Sequence, residues 1–121
     1  MPIRTILVVD DSPTDRQHLS DMLSKSGFKV SAAASAEEAL AKVKASRPDL
    51  VLMDVVMPGQ NGFQATRALT TDEATKDIPI IICSTKGQET DKVWGMRQGA
   101  KDYVVKPVKQ AELVAKIQKL G

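Results

Sequence analysis

The sequence lacks disulfide-forming cysteines and long apolar runs. Its 121 residues include one cysteine, Cys83, and one histidine, His18. A single cysteine cannot form an internal disulfide, and Cys83 ends an apolar run, where we expect an inert buried thiol. His18 has no histidine or cysteine near it in the sequence, so we expect it neither to bind metal nor to transfer phosphate. No apolar run approaches the roughly 20 residues of a membrane span, so we expect a soluble chain.

The chain also lacks a strong net charge, and we expect no targeting segment. Its 17 lysine and arginine residues and 15 acidic residues leave a net charge of +2. Binding to nucleic acid or to an anionic membrane needs several clustered cations, so we expect neither as a partner. Residues 1–4 lead directly into the first apolar run and leave no room for a signal peptide, which favours a cytoplasmic location.

What is present is an alternation of apolar runs with segments of helical periodicity. This pattern predicts repeated βα units with right-handed crossovers, and therefore an α/β fold with a parallel sheet covered on both faces. The pattern predicts five strands and five helices along the chain, and 121 residues suit one domain with its own core. We therefore expect a single domain over residues 1–121, with no second domain for an output function.

The sequence also predicts details of two helices. Ser12 is the expected N-cap of the first helix, with Asp15 three residues later at the capping-box position. The fourth helix, at about residues 90–97, has a thin apolar stripe formed by Val93 and Met96. We expect it to be the least firmly packed helix.

Four charged residues lie at the ends of apolar runs: the adjacent pair Asp10 and Asp11, then Asp54, then Lys106. The carboxyl ends of parallel strands share one edge of the sheet, which is where open α/β sheets bind ligands. Three carboxylates crowded there would raise one another's pKa unless a cation lies among them. The sequence therefore predicts a divalent metal site, although Asp10 and Asp11 taken alone could also be a solvated pair at the start of a helix.

Four segments carry a family resemblance, in this order: Val8-Val9-Asp10-Asp11, Met53-Asp54-Val55-Val56-Met57-Pro58-Gly59, Cys83-Ser84-Thr85, and Gly99-Ala100-Lys101-Asp102-Tyr103-Val104-Val105-Lys106-Pro107. With them the chain resembles the receiver domains of two-component response regulators, the CheY-like family, over essentially its whole length. The resemblance implies a flavodoxin-like, doubly wound (βα)5 fold. It also implies that Asp54 accepts a phosphoryl group from a CheA-like histidine kinase, with Mg²⁺ bound beside it.

The chemistry of such a site agrees with these residue types. A carboxylate attacks phosphorus usefully only when a metal and a cation neutralise the phosphoryl oxygens and hold the reactants in line. The expected Mg²⁺ ligands are Asp11, Asp54 and the backbone carbonyl of Val56, with Asp10 acting through water. Lys106 would pair with Asp54 before phosphorylation and with a phosphoryl oxygen afterwards.

The resemblance also implies a switch and a cis peptide bond between Lys106 and Pro107. Counting back from Lys106 places the switch hydroxyl on Ser84, whose bond to the phosphoryl group would let Tyr103 turn inward. Alternatively, Ser84 caps the next helix and Tyr103 is a half-buried strand residue. Trp94 either belongs to a partner-binding face or covers the core.

Three other functions compete with this one. A haloacid-dehalogenase-like phosphatase needs a second aspartate two residues after its nucleophile, where this chain has Val56. A flavodoxin-like FMN protein needs a phosphate-binding loop after the first strand, where Asp10 and Asp11 would repel the phosphate. A receiver that acts as a scaffold without phosphorylation is the third, and the filled site positions count against it.

The interpretation we favour is a stand-alone receiver that relays a signal by binding other proteins and catalyses only its own phosphorylation and dephosphorylation. Residues 83–99 resemble receivers of type IV pilus twitching-motility systems, of the PilH and PilG type, which implies a downstream motility or pilus protein as partner. Flagellar chemotaxis remains an alternative. We expect a monomer or weak dimer. Val56 and Lys86 beside the acceptor should hinder water in line with the phosphate and prolong the phosphorylated state.

Overall fold

The structure is a computed structural model that describes residues 2–57 and 61–121. Pro58 and Gly59 of the family motif lie outside the described residues. The strands are β1 (Thr5–Val9), β2 (Lys29–Ala33), β3 (Leu50–Met53), β4 (Ile80–Ser84) and β5 (Asp102–Val105). The helices are α1 (Pro13–Lys25), α2 (Ala36–Ser46), α3 (Gly62–Thr71), α4 (Glu89–Arg97) and α5 (Gln110–Leu120).

The five strands form one parallel sheet in the order β2-β1-β3-β4-β5. This arrangement confirms the predicted doubly wound α/β fold. From β1 the chain first adds β2 on one side, at the edge of the sheet. It then adds β3, β4 and β5 in turn on the other side of β1. The strand order therefore reverses between β1 and β3, at the crevice where folds of this kind bind ligands.

The core lies on both faces of the sheet because alternate residues of each strand point to opposite sides. On one face, Leu7 and Val9 pack with Val43 of α2 and Leu69 of α3. On the other, the intervening strand residues pack against α1 and α5. Those helices contribute Leu19, Leu23, Leu113 and Ile117 to the second cluster. Within the described residues, no helix is both long and apolar enough to cross a bilayer.

The start of α1 differs from its prediction in one respect. The Ser12 hydroxyl accepts a hydrogen bond from the Asp15 amide at 3.3 Å, which confirms Ser12 as the N-cap. The expected capping box is wrong, however, because the Ser12 amide donates to Asp10 Oδ1 at 3.0 Å instead of to Asp15. The Asp15 carboxylate is thus free to make another contact.

Helix α4 is thinly packed, as predicted, but the residue that packs is not the one expected. Val93, Trp94 and Met96 are 44%, 51% and 46% exposed, so neither the predicted stripe nor the indole covers the core. Gly95 is the buried residue of this helix. A Cβ atom on Gly95 would lie 2.7 Å from Ile82 Cδ1, so the bare helix backbone rests on the sheet.

Amide protons of α4 are expected to exchange with solvent at least about tenfold faster than those of α3, a helix of similar length with several buried side chains. The physical reason is that α4 would expose little apolar surface when it opens. Native-state hydrogen exchange measured residue by residue checks this. Equal protection of α3 and α4 would contradict it.

Candidate functional site

The sheet register brings Asp10 and Asp54 to the same edge. Val9 lies opposite Met53 in the pairing of β1 with β3, so the next residue of each strand leaves the sheet at the same level. The Asp54 amide donates to the Val9 carbonyl at 2.9 Å, which extends this pairing. Asp10 and Asp54 therefore enter the crevice as neighbours, as the sequence predicted.

The acidic residues form a cluster that could hold a metal ion. One carboxylate oxygen from each of Asp10, Asp11 and Asp54 lies within 4.8 Å of the other two. Asp10 and Asp54 are buried, whereas Asp11 is exposed and leaves one side of the cluster open to solvent. Such a set of convergent carboxylate oxygens fits a hard divalent cation of the Mg²⁺ kind, which retains several waters.

Lys106 reaches the same place from β5. Ser84 lies opposite Val105, and the Lys106 amide donates to the Ser84 carbonyl at 2.9 Å, which fixes the start of the following loop. The bond from Lys106 to Pro107 is cis, which confirms the expectation. The lysine side chain starts at the end of β5 and reaches past the end of β4 to the residues that follow β1 and β3.

The Lys106 ammonium contacts three carboxylates. Its Nζ lies 2.6 Å from Asp10 Oδ2, 3.1 Å from Asp15 Oδ2 and 3.3 Å from Asp54 Oδ2. Sequence reasoning anticipated the pair with Asp54 but missed Asp15. An acid in the first turn of a helix is common for reasons of capping and helix dipole alone, so the sequence held no signal for this contact.

Burial and ion pairing shift the pKa values of Asp10 and Lys106. Burial raises the pKa of Asp10, and the Asp54 charge adds to this, although hydrogen bonds from Lys106 and Ser12 partly oppose it. Burial by itself would lower the pKa of Lys106, but Asp10, Asp54 and Asp15 together raise it. The lysine therefore remains charged at physiological pH, among more carboxylates than it can neutralise.

The Asp54 carboxylate is held at both oxygens and at its backbone. Oδ1 accepts a hydrogen bond from the Val56 amide at 3.0 Å, and Oδ2 faces Lys106. The start of α3 lies directly against the residue, since a Cβ atom on Gly62 would lie 2.0 Å from the Asp54 carbonyl oxygen. Only glycine fits at this position. The backbone of α3 therefore packs closely against the backbone of Asp54 and limits its movement.

Ser84 and Tyr103 meet at the backbone of Lys86. The buried Ser84 hydroxyl accepts a hydrogen bond from the Lys86 amide at 3.3 Å, and the Tyr103 hydroxyl donates to the Lys86 carbonyl at 2.5 Å. Ser84 does not cap α4, because the N-cap of that helix is Gln88. The Tyr103 ring is buried and inward in this structure, and burial raises the pKa of its hydroxyl to about 12.

The remaining candidates behave as ordinary structural residues. Cys83 is buried, and burial raises the pKa of its thiol to about 12, in keeping with an inert group. Met53 and Met57 belong to one hydrophobic cluster, so these two residues serve core packing. His18 is exposed on α1.

The parallel sheet, the carboxylate cluster and the inward lysine define a receiver domain. The chain matches the family "response regulator receiver domain" over residues 6–118, and it belongs to that family. It is 55% identical to protein PilH of Pseudomonas aeruginosa over 112 residues, which cover 93% of each chain.

Similarity extends to transcriptional regulators and to chemotaxis proteins. The chain is 39% identical over 115 residues to the phosphate regulon regulator PhoB of Pseudomonas aeruginosa. The match covers 95% of this chain and spans only half the length of that protein. Among solved structures, the Vibrio cholerae chemotaxis protein CheY4 superposes with a TM-score of 0.91 at 34% identity, covering 98% of this chain and 99% of the other.

Replacing Asp10 with asparagine is expected to raise the free energy of unfolding near pH 7, with metal chelated, by about 1 kcal/mol. The folded state raises the pKa of Asp10 above its ordinary value of 3.8, so folding favours the protonated carboxyl group. Asp10 therefore contributes stability below pH 3.8, and this contribution is lost as pH rises through the folded-state pKa. The gain from Asp10→Asn should therefore grow as pH rises from about 4 through the folded-state pKa of Asp10. Urea unfolding of both proteins across this range measures it.

Asp49→Asn is the matched control, with the opposite sign. Hydrogen bonds from the Arg4 and Thr5 amides lower the pKa of Asp49, so its stabilising contribution is present above pH 3.8 and is lost as pH falls through the folded-state value. Asp49→Asn should destabilise the protein near pH 7, and less so in acid. The same pH trend in both variants would contradict this account.

Proposed function

We propose that this chain is a phosphorylation-driven signalling switch whose phosphoryl acceptor is Asp54. The observation that carries the proposal is the Lys106 ammonium, 3.3 Å from Asp54 Oδ2 and beside a carboxylate cluster that could hold a metal. In this proposal Asp11, Asp54 and the Val56 carbonyl bind Mg²⁺, and Asp10 acts through water. The phosphoryl donor is a phosphohistidine on a CheA-like histidine kinase.

The transfer balances without further reactants. A carboxylate oxygen of Asp54 forms the new bond to phosphorus, and the phosphorus–nitrogen bond of the phosphohistidine breaks, so the electron pair returns to the imidazole of the donor. Lys106 donates a hydrogen bond to a phosphoryl oxygen in place of its contact with Asp54. Bound Mg²⁺ would supply further neutralisation of the phosphoryl oxygens.

Ser84 and Tyr103 connect this event to the surface. The Ser84 hydroxyl now accepts from the Lys86 amide and can direct its own proton to a phosphoryl oxygen. Tyr103 bonds the carbonyl of the same residue, Lys86, and its ring lies beneath Gly95 of α4. A change at Ser84 would thus move the loop before α4 and alter the exposed face that includes Trp94, where a partner protein would bind.

The similarity to PilH supports a role in type IV pilus twitching motility, with a motility or pilus protein as the target. The structural likeness to CheY4 supports a flagellar chemotaxis role as the alternative. A haloacid-dehalogenase-like phosphatase is disfavoured, because Val56 places an exposed aliphatic side chain where that chemistry needs a proton donor.

Incubation with Mg²⁺ and acetyl phosphate or phosphoramidate is expected to add one phosphoryl group to this protein. The Asp54→Ala variant should gain none, because the attacking carboxylate is absent. Intact-mass spectrometry of both proteins measures the adduct. A variant modified to the same yield would reject Asp54 as the acceptor, and no adduct on either protein would favour a scaffold that is not phosphorylated.

The phosphorylated protein is expected to lose its phosphoryl group slowly, and the combined change Val56→Asn and Lys86→Glu should speed that loss several-fold. Val56 is a half-exposed apolar side chain two residues from Asp54, and Lys86 lies on the neighbouring loop. Polar, acidic replacements would admit and orient the attacking water. The decay of the phosphorylated mass with time measures the effect, and an unchanged decay rate would refute it.

A further inference from the structure

Asp15 contacts the site lysine without belonging to the metal-binding cluster. Its Oδ2 lies 3.1 Å from Lys106 Nζ. The carboxylates that could hold a metal are those of Asp10, Asp11 and Asp54. In the part of the chain that the structure describes, Asp15 is therefore the only carboxylate that pairs with Lys106 from outside the cluster.

The local structure of α1 turns Asp15 toward the lysine. A capping-box acid would use its carboxylate to accept from the amide of the N-cap residue. Here Asp10 Oδ1 accepts from the Ser12 amide at 3.0 Å, so Asp10 performs that function. The Asp15 amide is itself satisfied by the Ser12 hydroxyl. Its carboxylate is left free to pair with Lys106.

Metal binding and the Lys106 contacts compete for the same oxygens. Lys106 Nζ lies 2.6 Å from Asp10 Oδ2 and 3.3 Å from Asp54 Oδ2, and both residues belong to the cluster. A divalent cation among those carboxylates would repel the ammonium and weaken its hold on them. Asp15 is not a member of the cluster, so its attraction for Lys106 persists when a metal binds.

We propose that Asp15 is a positioning residue that draws the Lys106 ammonium toward α1, so that Asp10 and Asp54 are available to the metal while the lysine remains in the site. This inference rests on the proposed function, because it requires Mg²⁺ at the acidic cluster. Asp15 acts through Lys106 and touches neither the phosphoryl group nor the metal.

Stability is a poor measure of this role. The Asp15 side chain is 47% exposed, against 1% for Asp10 and 11% for Lys106, and ion pairs with an exposed partner contribute little to folding. The informative quantity is the affinity for Mg²⁺. Without the Asp15 charge, the ammonium would turn fully to Asp10 and Asp54 and compete with the metal for them.

The test is a titration of the full chain with Mg²⁺ alone. Binding is measured by calorimetry or by the NMR shifts of the site amides. Asp15→Asn is expected to raise the Kd for Mg²⁺ about threefold, the scale of one partly exposed ion pair. Asp15→Glu should restore most of the affinity. Asp21→Asn removes the same charge from the same helix, where Asp21 accepts from Gln17, and should leave the Kd unchanged.

Repeating the Asp15→Asn comparison in a protein that lacks Lys106 separates an effect through Lys106 from a direct effect of the Asp15 charge on Mg²⁺ binding. In Lys106→Met protein there is no ammonium to compete with the metal, so Asp15→Asn should no longer change the Kd. An unchanged Kd for Asp15→Asn in the original protein, or an equal rise in both backgrounds, would overturn the inference.

The same titration distinguishes a failure of the proposed metal site from a failure of the proposed role of Asp15. If the unmodified protein binds Mg²⁺ and Asp11→Ala weakens that binding, the metal assignment stands whatever Asp15 does. If the unmodified protein binds no Mg²⁺, the metal part of the proposed function fails, and the role of Asp15 fails with it.

Discussion

One ammonium group compensates the buried carboxylates at the carboxyl edge of the sheet. Lys106 Nζ contacts Asp10, Asp15 and Asp54, and two of these are almost fully shielded from water. Unpaired charges in such surroundings cost several kcal/mol, so the acidic residues depend on the lysine. Because one ammonium cannot neutralise them all, the site keeps an excess of negative charge. This excess negative charge favours the binding of a cation that takes oxygen ligands.

The register of the parallel sheet produces this arrangement. Val9 pairs with Met53, and Ser84 pairs with Val105, so the strands deliver the site residues at one level. The sheet is packed against helices on both faces, which makes the register hard to change. A slip of one residue would exchange the two faces of a strand and bury the wrong side chains. Core packing therefore fixes the geometry of the site.

The loop after β4 joins the site to α4. The Ser84 hydroxyl and the Tyr103 hydroxyl bond to the amide and the carbonyl of the same residue, Lys86. Helix α4 itself rests on the sheet through Gly95 and leaves its larger apolar side chains exposed. A helix with so little buried surface can shift at low cost, whereas the buried strands of the sheet cannot. Among the helices that the structure describes, the site thus lies beside the one best suited to change position.

The sequence by itself determined the strands, the fold class and the four residues Asp10, Asp11, Asp54 and Lys106, because apolar runs and the residues that end them are local signals. Only the tertiary structure decided that Asp15 pairs with Lys106, 91 positions away, and that Tyr103 bonds to Lys86. It also decided that Gly95, and not Val93, packs in α4. These contacts depend on the distance between separate elements, which follows from how the helices pack on the sheet and has no signature in local spacing.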